Sequence, residues 1–303
     1  MACVEVLGRT VLGRTLEELL RGRVDSVSVV AGGSFASAVM GEEKVRFSAA
    51  QDVWRTAADK IAGMNADAVL LIRLGAYVEF DPAEMLQFHR DQGEPVTRAC
   101  NKDGALDLWV IDPASFSAGE DLACWLQNAP QASYFVSGYV NRLETPRDIR
   151  QLIADGLAAR CRFRPQGIEV KPGIWMGQGA EVERGARVVA PAYIGSNSRI
   201  AAQCLITRGS NIESNSQVDY GTVIEDSTVL SNTYVGIGLD LAHSIVDGDS
   251  LLNLQHGVVL KIGDPVVLRH MRNGREHTGM DGSFLANLEV GDMAMSSMPE
   301  EQQ

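Results

Sequence analysis

Five histidines and five cysteines hold much of the reactive chemistry available to this 303-residue sequence. His243 and His256, in Leu241-Ala242-His243 and Leu254-Gln255-His256-Gly257, could each act as the general base of an acyl transfer, or sit at a surface or core edge with no catalytic part. His89 shares a helical pattern with Met85 and Leu86 and is expected to be structural. His270 and His277 lie among Arg269, Arg272 and Arg275, a basic patch that suits an anion, a partner's acidic surface or simply solvent. Cys3, Cys100, Cys124, Cys161 and Cys204 form no Cys-x-x-Cys pair and no Cys/His cluster with zinc spacing. They are expected to be reduced, mostly buried thiols. Gly32-Gly33 follows an apolar alternation, but no Gly-x-Gly-x-x-Gly and no Gly-Lys-Ser/Thr follows it, so it predicts a turn rather than a phosphate loop. Gly8 and Gly13 do not restore one.

The elements that must position these side chains announce themselves by period. Val170, Met176, Val182, Val188, Ile194, Ile200, Ile206, Ile212, Val218, Ile224 and Leu230 place an aliphatic residue at every sixth position. A small residue stands two before most of them, from Ala180, Ala186 and Ala192 to Ser216, Thr222 and Thr228. Neither a helix nor an alternating strand has a period of six; a parallel β-helix does, with one short strand and one corner per hexad. The aliphatic file should fill the coil, and the small residues should sit at its corners.

Before the hexads, strand and helix patterns alternate. Leu12, Leu16, Leu19 and Leu20 share a helical face; Val24–Val30 alternates; residues 48–64 look helical; Asp67–Ile72 is a continuous apolar run. Asp81-Pro82 opens a helix, Leu106–Ile111 forms a strand closed by Asp112-Pro113, a helix near 119–128 and a strand at Tyr134–Val136 follow, and Thr145-Pro146 caps a helix running to about Cys161. Such alternation predicts an α/β domain with a mostly parallel sheet. The expected organisation is therefore an α/β domain at 1–161, a linker, a β-helix at 166–245, an extension at 246–290 without a clear pattern, and a disordered tail at 291–303.

A net charge of −12 argues against non-specific nucleic-acid binding, which needs a positive surface. Hydrophobic content of 45% with 22% charged residues is ordinary for a globular protein. No apolar stretch has bilayer length, and Met1–Val6 lacks the basic-then-apolar pattern of a signal peptide, so a cytoplasmic protein without membrane partners is expected.

Several words, in order, resemble the sugar nucleotidyltransferases, the nucleoside-diphosphate-sugar pyrophosphorylases, and among them the mannose-1-phosphate guanylyltransferase-like proteins. Val6–Leu16 resembles the segment leading into that family's first long helix. Asp67–Ile72, Phe80-Asp81 and Glu84–Arg90 resemble its metal strand and the helix after it. Gly93–Thr97 is similar to its next turn and strand, and Tyr139–Pro146 to the segment around its second metal aspartate. The resemblance implies a Rossmann-like α/β domain, here reduced because the first βα unit and its Gly-rich loop are missing, and a left-handed hand for the β-helix.

The family joins a nucleoside triphosphate to a sugar 1-phosphate and releases pyrophosphate. That chemistry needs backbone N–H groups on the triphosphate, cations on the moving charge, and two aspartates on Mg²⁺. The resemblance puts Gly75 and Arg142 at the two metal positions, with Arg73, Tyr77 and Asn141 flanking the old cleft. An arginine there repels a divalent cation. No catalytic residue and no metal ligand is therefore expected, and Mg²⁺ only if the chain is an active enzyme after all. Arg73 and Arg142 either pair with surplus acids or hold an anionic ligand such as a sugar phosphate. The function implied is a catalytically degenerate binding, regulatory or assembly subunit of sugar-nucleotide or polysaccharide metabolism, as a homo-oligomer or on an active relative. The alternatives are an active sugar-1-phosphate nucleotidyltransferase and a hexapeptide-repeat acyltransferase.

Overall fold

A computed structural model of the chain describes residues 3–21, 24–32 and 45–271. The chain divides into two units, one holding Arg9–Asp148, the other Val4–Gly8 and the chain from Ile149 onward. No described helix is long and apolar enough to cross a membrane.

In the first unit the helix α1 (Val11–Arg21) buries Leu12, Leu16 and Leu19, the expected face. The strands Val27–Gly32 and Val45–Ala50 pair in parallel. The second occupies the start of the region expected to be helical, so α2 is shorter than its pattern, at Val53–Ala62. Asp52 sets that start by accepting from the Arg55 N–H at 3.0 Å. Asp81 does the same for α3 (Pro82–Gln92), accepting from Ala83 and Glu84 at 2.8 and 3.3 Å.

The central sheet has the order Val69–Ile72, Gly104–Ile111, Val96–Asn101, Gln131–Phe135. Its expected parallel character is corrected: Gly104–Ile111 runs antiparallel to both neighbours, and only Val96–Asn101 and Gln131–Phe135 are parallel. The reason is local. Only Lys102-Asp103 separates the two strands, enough for a hairpin and far too short for a crossover. Both faces are covered, as the continuous apolar runs require. Trp109 and Ile111 pack on one side with Ala58 and Ile61 of α2 and with Leu122 and Leu126 of α4 (Leu122–Asn128). Leu108 and Val110 pack on the other with Met85 of α3.

In the second unit each coil advances 18 residues: Ile174 lies beside Ala192, Glu181 beside Arg199, and Arg187 beside Leu205, all in parallel. Three hexads thus make one coil with three flat sides. Ile194, Ile200, Ile206, Ile212, Val218 and Ile224 are fully buried inside it. Two members of the expected file are corrected. Val170 is half exposed, because Ile168–Lys171 is an antiparallel edge strand outside the coil. Leu230 leaves the file because the coil loses a residue at Asp226: Asn211 pairs with Thr228, a step of 17, and Val229 takes the inner place. Leu230 packs outside with Ile245 and Leu252.

The small residues do more than fit corners. Ser198 Oγ donates to the Glu213 carbonyl of the next coil at 2.7 Å and accepts from the Ser216 N–H at 3.0 Å. Ser216, Thr222 and Ser227 repeat the arrangement, so a hydroxyl ladder stitches successive coils. Beyond the coil, Ser250–Asn253 and Val258–Lys261 extend one side as antiparallel strands, and Leu268–His270 pairs antiparallel with Thr233–Val235. This structure fills the first part of the 246–290 extension. The tail expected to be disordered, 291–303, lies outside the described residues, as do Arg272, Arg275 and His277.

Candidate functional site

Tyr77 and Asn141 face each other across a short antiparallel pair, Tyr77–Val78 with Val140–Asn141. The Tyr77 hydroxyl donates to Glu79 Oε1 at 3.0 Å, and both side chains are buried. The Asn141 amide is consumed by backbone: Nδ2 donates to the Asp148 carbonyl at 2.8 Å and Oδ1 accepts from Leu143 at 3.0 Å. Asn141 thereby shapes the turn into α5 (Pro146–Leu157).

Arg142 follows at the strand end. Its Nη2 donates to Asn101 Oδ1 at 3.4 Å, and its Nη1 lies 4.0 Å from Glu144. Arg73 is engaged elsewhere, 3.4 Å from Asp107 Oδ2, and Asp107 also lies 3.6 Å from Arg98. The two arginines thus answer to different acids. At Gly75 a Cβ would meet nothing within 4 Å, so a carboxylate has room there and is simply not encoded. A glycine and a guanidinium do not fit a divalent cation. Among the described residues no group of three His, Cys, Asp or Glu side chains is placed to hold a metal ion.

No protein-family model matches the chain, and no curated protein matches it. Among solved structures it is similar to HddC from Yersinia pseudotuberculosis, with 12% identity over 50% of this chain and 87% of that one and a TM-score of 0.41. The structure of HddC complexed with GMP-PN gives 13% identity, the same coverage and the same TM-score.

The remaining candidates separate clearly. His89 is buried, its Nδ1 2.9 Å from Thr97 Oγ1, and burial lowers its pKa; it is a core residue. His256 is exposed in a turn. Arg269 stacks 3.5 Å above the Tyr234 ring and donates to the Pro265 carbonyl, so this member of the basic patch is engaged within its own fold. The cysteines are free, but only Cys161 and Cys204 are buried; Cys124 is exposed, which corrects the expectation that most are buried.

The most elaborate polar arrangement was not anticipated. It lies on one flat side of the coil, within the second unit. Glu213 is completely buried, and its carboxylate accepts from the Leu7 and Gly8 N–H groups at 2.7 and 2.9 Å and from Asn211 Nδ2 at 2.6 Å. Asn211 Oδ1 accepts in turn from Arg150 Nη1 at 3.1 Å and from the Thr228 hydroxyl at 2.7 Å. Arg150, on α5, donates onward to Asp226 Oδ1 at 2.7 Å, and Asp226 Oδ2 lies 2.6 Å from His243 Nδ1. Burial pushes the Glu213 pKa up to about 8, helped by the Glu5 charge and opposed by its donors. Burial also works against ionised Asp226, but Arg150 and His243 outweigh it and hold the acid below its usual value. Asp226 and His243 both have positive φ, 43° and 48°, at successive coil corners, a conformation that costs a side-chain-bearing residue about 1 kcal/mol.

Proposed function

We propose that this chain is a nucleotidyltransferase-like binding or assembly subunit of sugar-nucleotide or polysaccharide metabolism that does not carry out the transfer. The observation that carries this reading is Arg142. It stands where the resembled family places a metal carboxylate, and its guanidinium is tied to Asn101 and Glu144. A transfer routed through bridged phosphates needs cation-binding oxygens at that point, and a fixed positive charge disfavours the cation. Arg73 supports the same reading, since Asp107 already occupies it. A sugar phosphate remains the ligand class that two arginines would suit if they exchanged these partners for it.

The test is pyrophosphate release from GTP and mannose 1-phosphate with Mg²⁺. The reading expects no turnover above the buffer rate; steady turnover abolished by Arg142→Ala would contradict it.

Acyl transfer has one observation in its favour. Asp226, braced by Arg150, fixes His243 Nδ1 at 2.6 Å, the orienting contact that a general base uses. Hydrolysis of acetyl-coenzyme A, lost in His243→Ala, would favour it over a binding role.

A further inference from the structure

The segment Val4–Gly8 belongs to the second unit and lies there as a short strap. Its central side chain, Leu7, is completely buried. A Cβ at Gly156 on α5 would come within 2.7 Å of Leu7 Cδ1, so a glycine keeps that seat open. The Leu7 carbonyl accepts from the Gln166 N–H at 3.0 Å. The Leu7 and Gly8 N–H groups both go to the Glu213 carboxylate. To present them, both residues take positive φ, 51° and 84°. Leu7, which carries a side chain, is disfavoured in that conformation.

Glu213 is fully buried, yet all three of its donors, Leu7, Gly8 and Asn211 Nδ2, are neutral. The cation of this side, Arg150, is engaged by Gly209, Asn211, Thr228 and Asp226 and reaches Glu213 only through Asn211. His243 answers to Asp226. Arg9, which follows the strap, pairs with Glu17. Tyr193 brings a phenol against Gly8, where an added Cβ would collide with its hydroxyl. The remaining group is a second acid on the strap itself, Glu5, held by the Ser214 and Ser231 hydroxyls.

A buried carboxylate without a cation against it, and with another acid close enough to act on it, is costly when ionised. In keeping with this, burial and Glu5 together push its pKa up to about 8. Lifting five residues would admit water to Glu213, separate it from Glu5 and release Leu7 from its left-handed conformation, all without disturbing a strand of the coil.

We propose that Val4–Gly8 is a pH-sensitive clasp, docked while Glu213 carries its proton and lifted from an intact coil when Glu213 ionises. The released strap leaves Glu213 in water with an ordinary carboxylic acidity. The docked form is therefore favoured most below pH 4.5 and loses ground as pH rises towards 8.

The test is amide hydrogen exchange of the full chain between pH 5 and pH 8, corrected for the intrinsic change in rate. Protection of the Leu7 and Gly8 amides should fall at least about tenfold across that range. At each pH these two should exchange at least about tenfold faster than the Ser216 and Thr233 amides of the hydroxyl ladder, since the strap opens without the coil. Glu213→Gln should flatten the pH dependence, whatever its absolute level of protection. Glu5→Gln should make the fall smaller. Leu7→Ala should lower protection at every pH and leave its pH dependence in place. Flat protection in the parent, an undiminished fall in Glu213→Gln or in Glu5→Gln, or strap amides that exchange no faster than the ladder would each overturn the proposal.

Discussion

The Leu7 N–H donates to Glu213 Oε1 at 2.7 Å, joining residues 206 apart in sequence. Glu5 strengthens the same attachment through hydrogen bonds from Ser214 and Ser231. An N-terminal segment thus depends on one buried acid in the coil.

That dependence has a sign. The folded pKa of Glu213, about 8, lies above the ordinary 4.5, so the folded state keeps a proton that the unfolded chain loses. Stability from this group is complete below pH 4.5 and falls as pH rises towards 8, by an amount on the order of 4 kcal/mol. Glu213→Gln removes the titration. The melting temperature of the parent should therefore fall more steeply than that of the variant between pH 5 and about pH 8.5. Parallel curves would show that Glu213 is ionised throughout.

Arg150 is almost entirely buried and donates to Gly209, Asn211, Thr228 and Asp226. Its replacement strands several acceptors and a carboxylate. Arg150→Met should cost about 3–5 kcal/mol in urea unfolding. A loss under about 1 kcal/mol would mean that the network holds nothing together.

The corrected hexad register is equally open to test. Ile206 is fully buried and Val170 half exposed, though the sequence pattern treats them alike. Ile206→Ala should cost about 2–5 kcal/mol and Val170→Ala less than about 0.5. Equal losses would return Val170 to the core.

The coil was legible because one constraint, an aliphatic side chain at every inward position, repeats without interference from Met176 to Ile224. The pattern broke where the chain changed its own rule. One residue fewer at Asp226 moved the inner place from Leu230 to Val229, and a six-residue template has no means of seeing a five-residue step. In the α/β unit, apolar runs located strands but said nothing of direction. The short turn Asn101-Lys102-Asp103-Gly104 was the available signal for the reversed strand.

Of the candidate site, the resemblance put Arg73, Tyr77, Asn141 and Arg142 around one cleft but said nothing of the pairing of Tyr77 with Asn141 or of which acids engage the arginines. Glu213, Asn211 and Arg150 escaped notice for a physical reason. Residues flanking the inner file point outward, and on the other sides of the coil Glu181, Arg187 and Arg199 are exposed. On this side, by contrast, Tyr193, Asn211, Thr228 and Ile245 are buried, and outward positions become interior ones. Polar residue types there, without a visible period, carry no mark of that burial.

The proposal that this chain does not run metal-dependent nucleotide chemistry rests on Arg142 and Gly75, at the positions where the resembled family has its metal aspartates. Isothermal titration of the full chain with GTP, with and without Mg²⁺, tests it most directly, with mannose 1-phosphate as the second ligand. The account predicts no Mg²⁺-dependent heat with GTP, and binding of the sugar phosphate, if present, that is indifferent to the metal and weakened by Arg142→Ala. Micromolar GTP binding that requires Mg²⁺ would contradict it, because other carboxylates would then have to hold the cation.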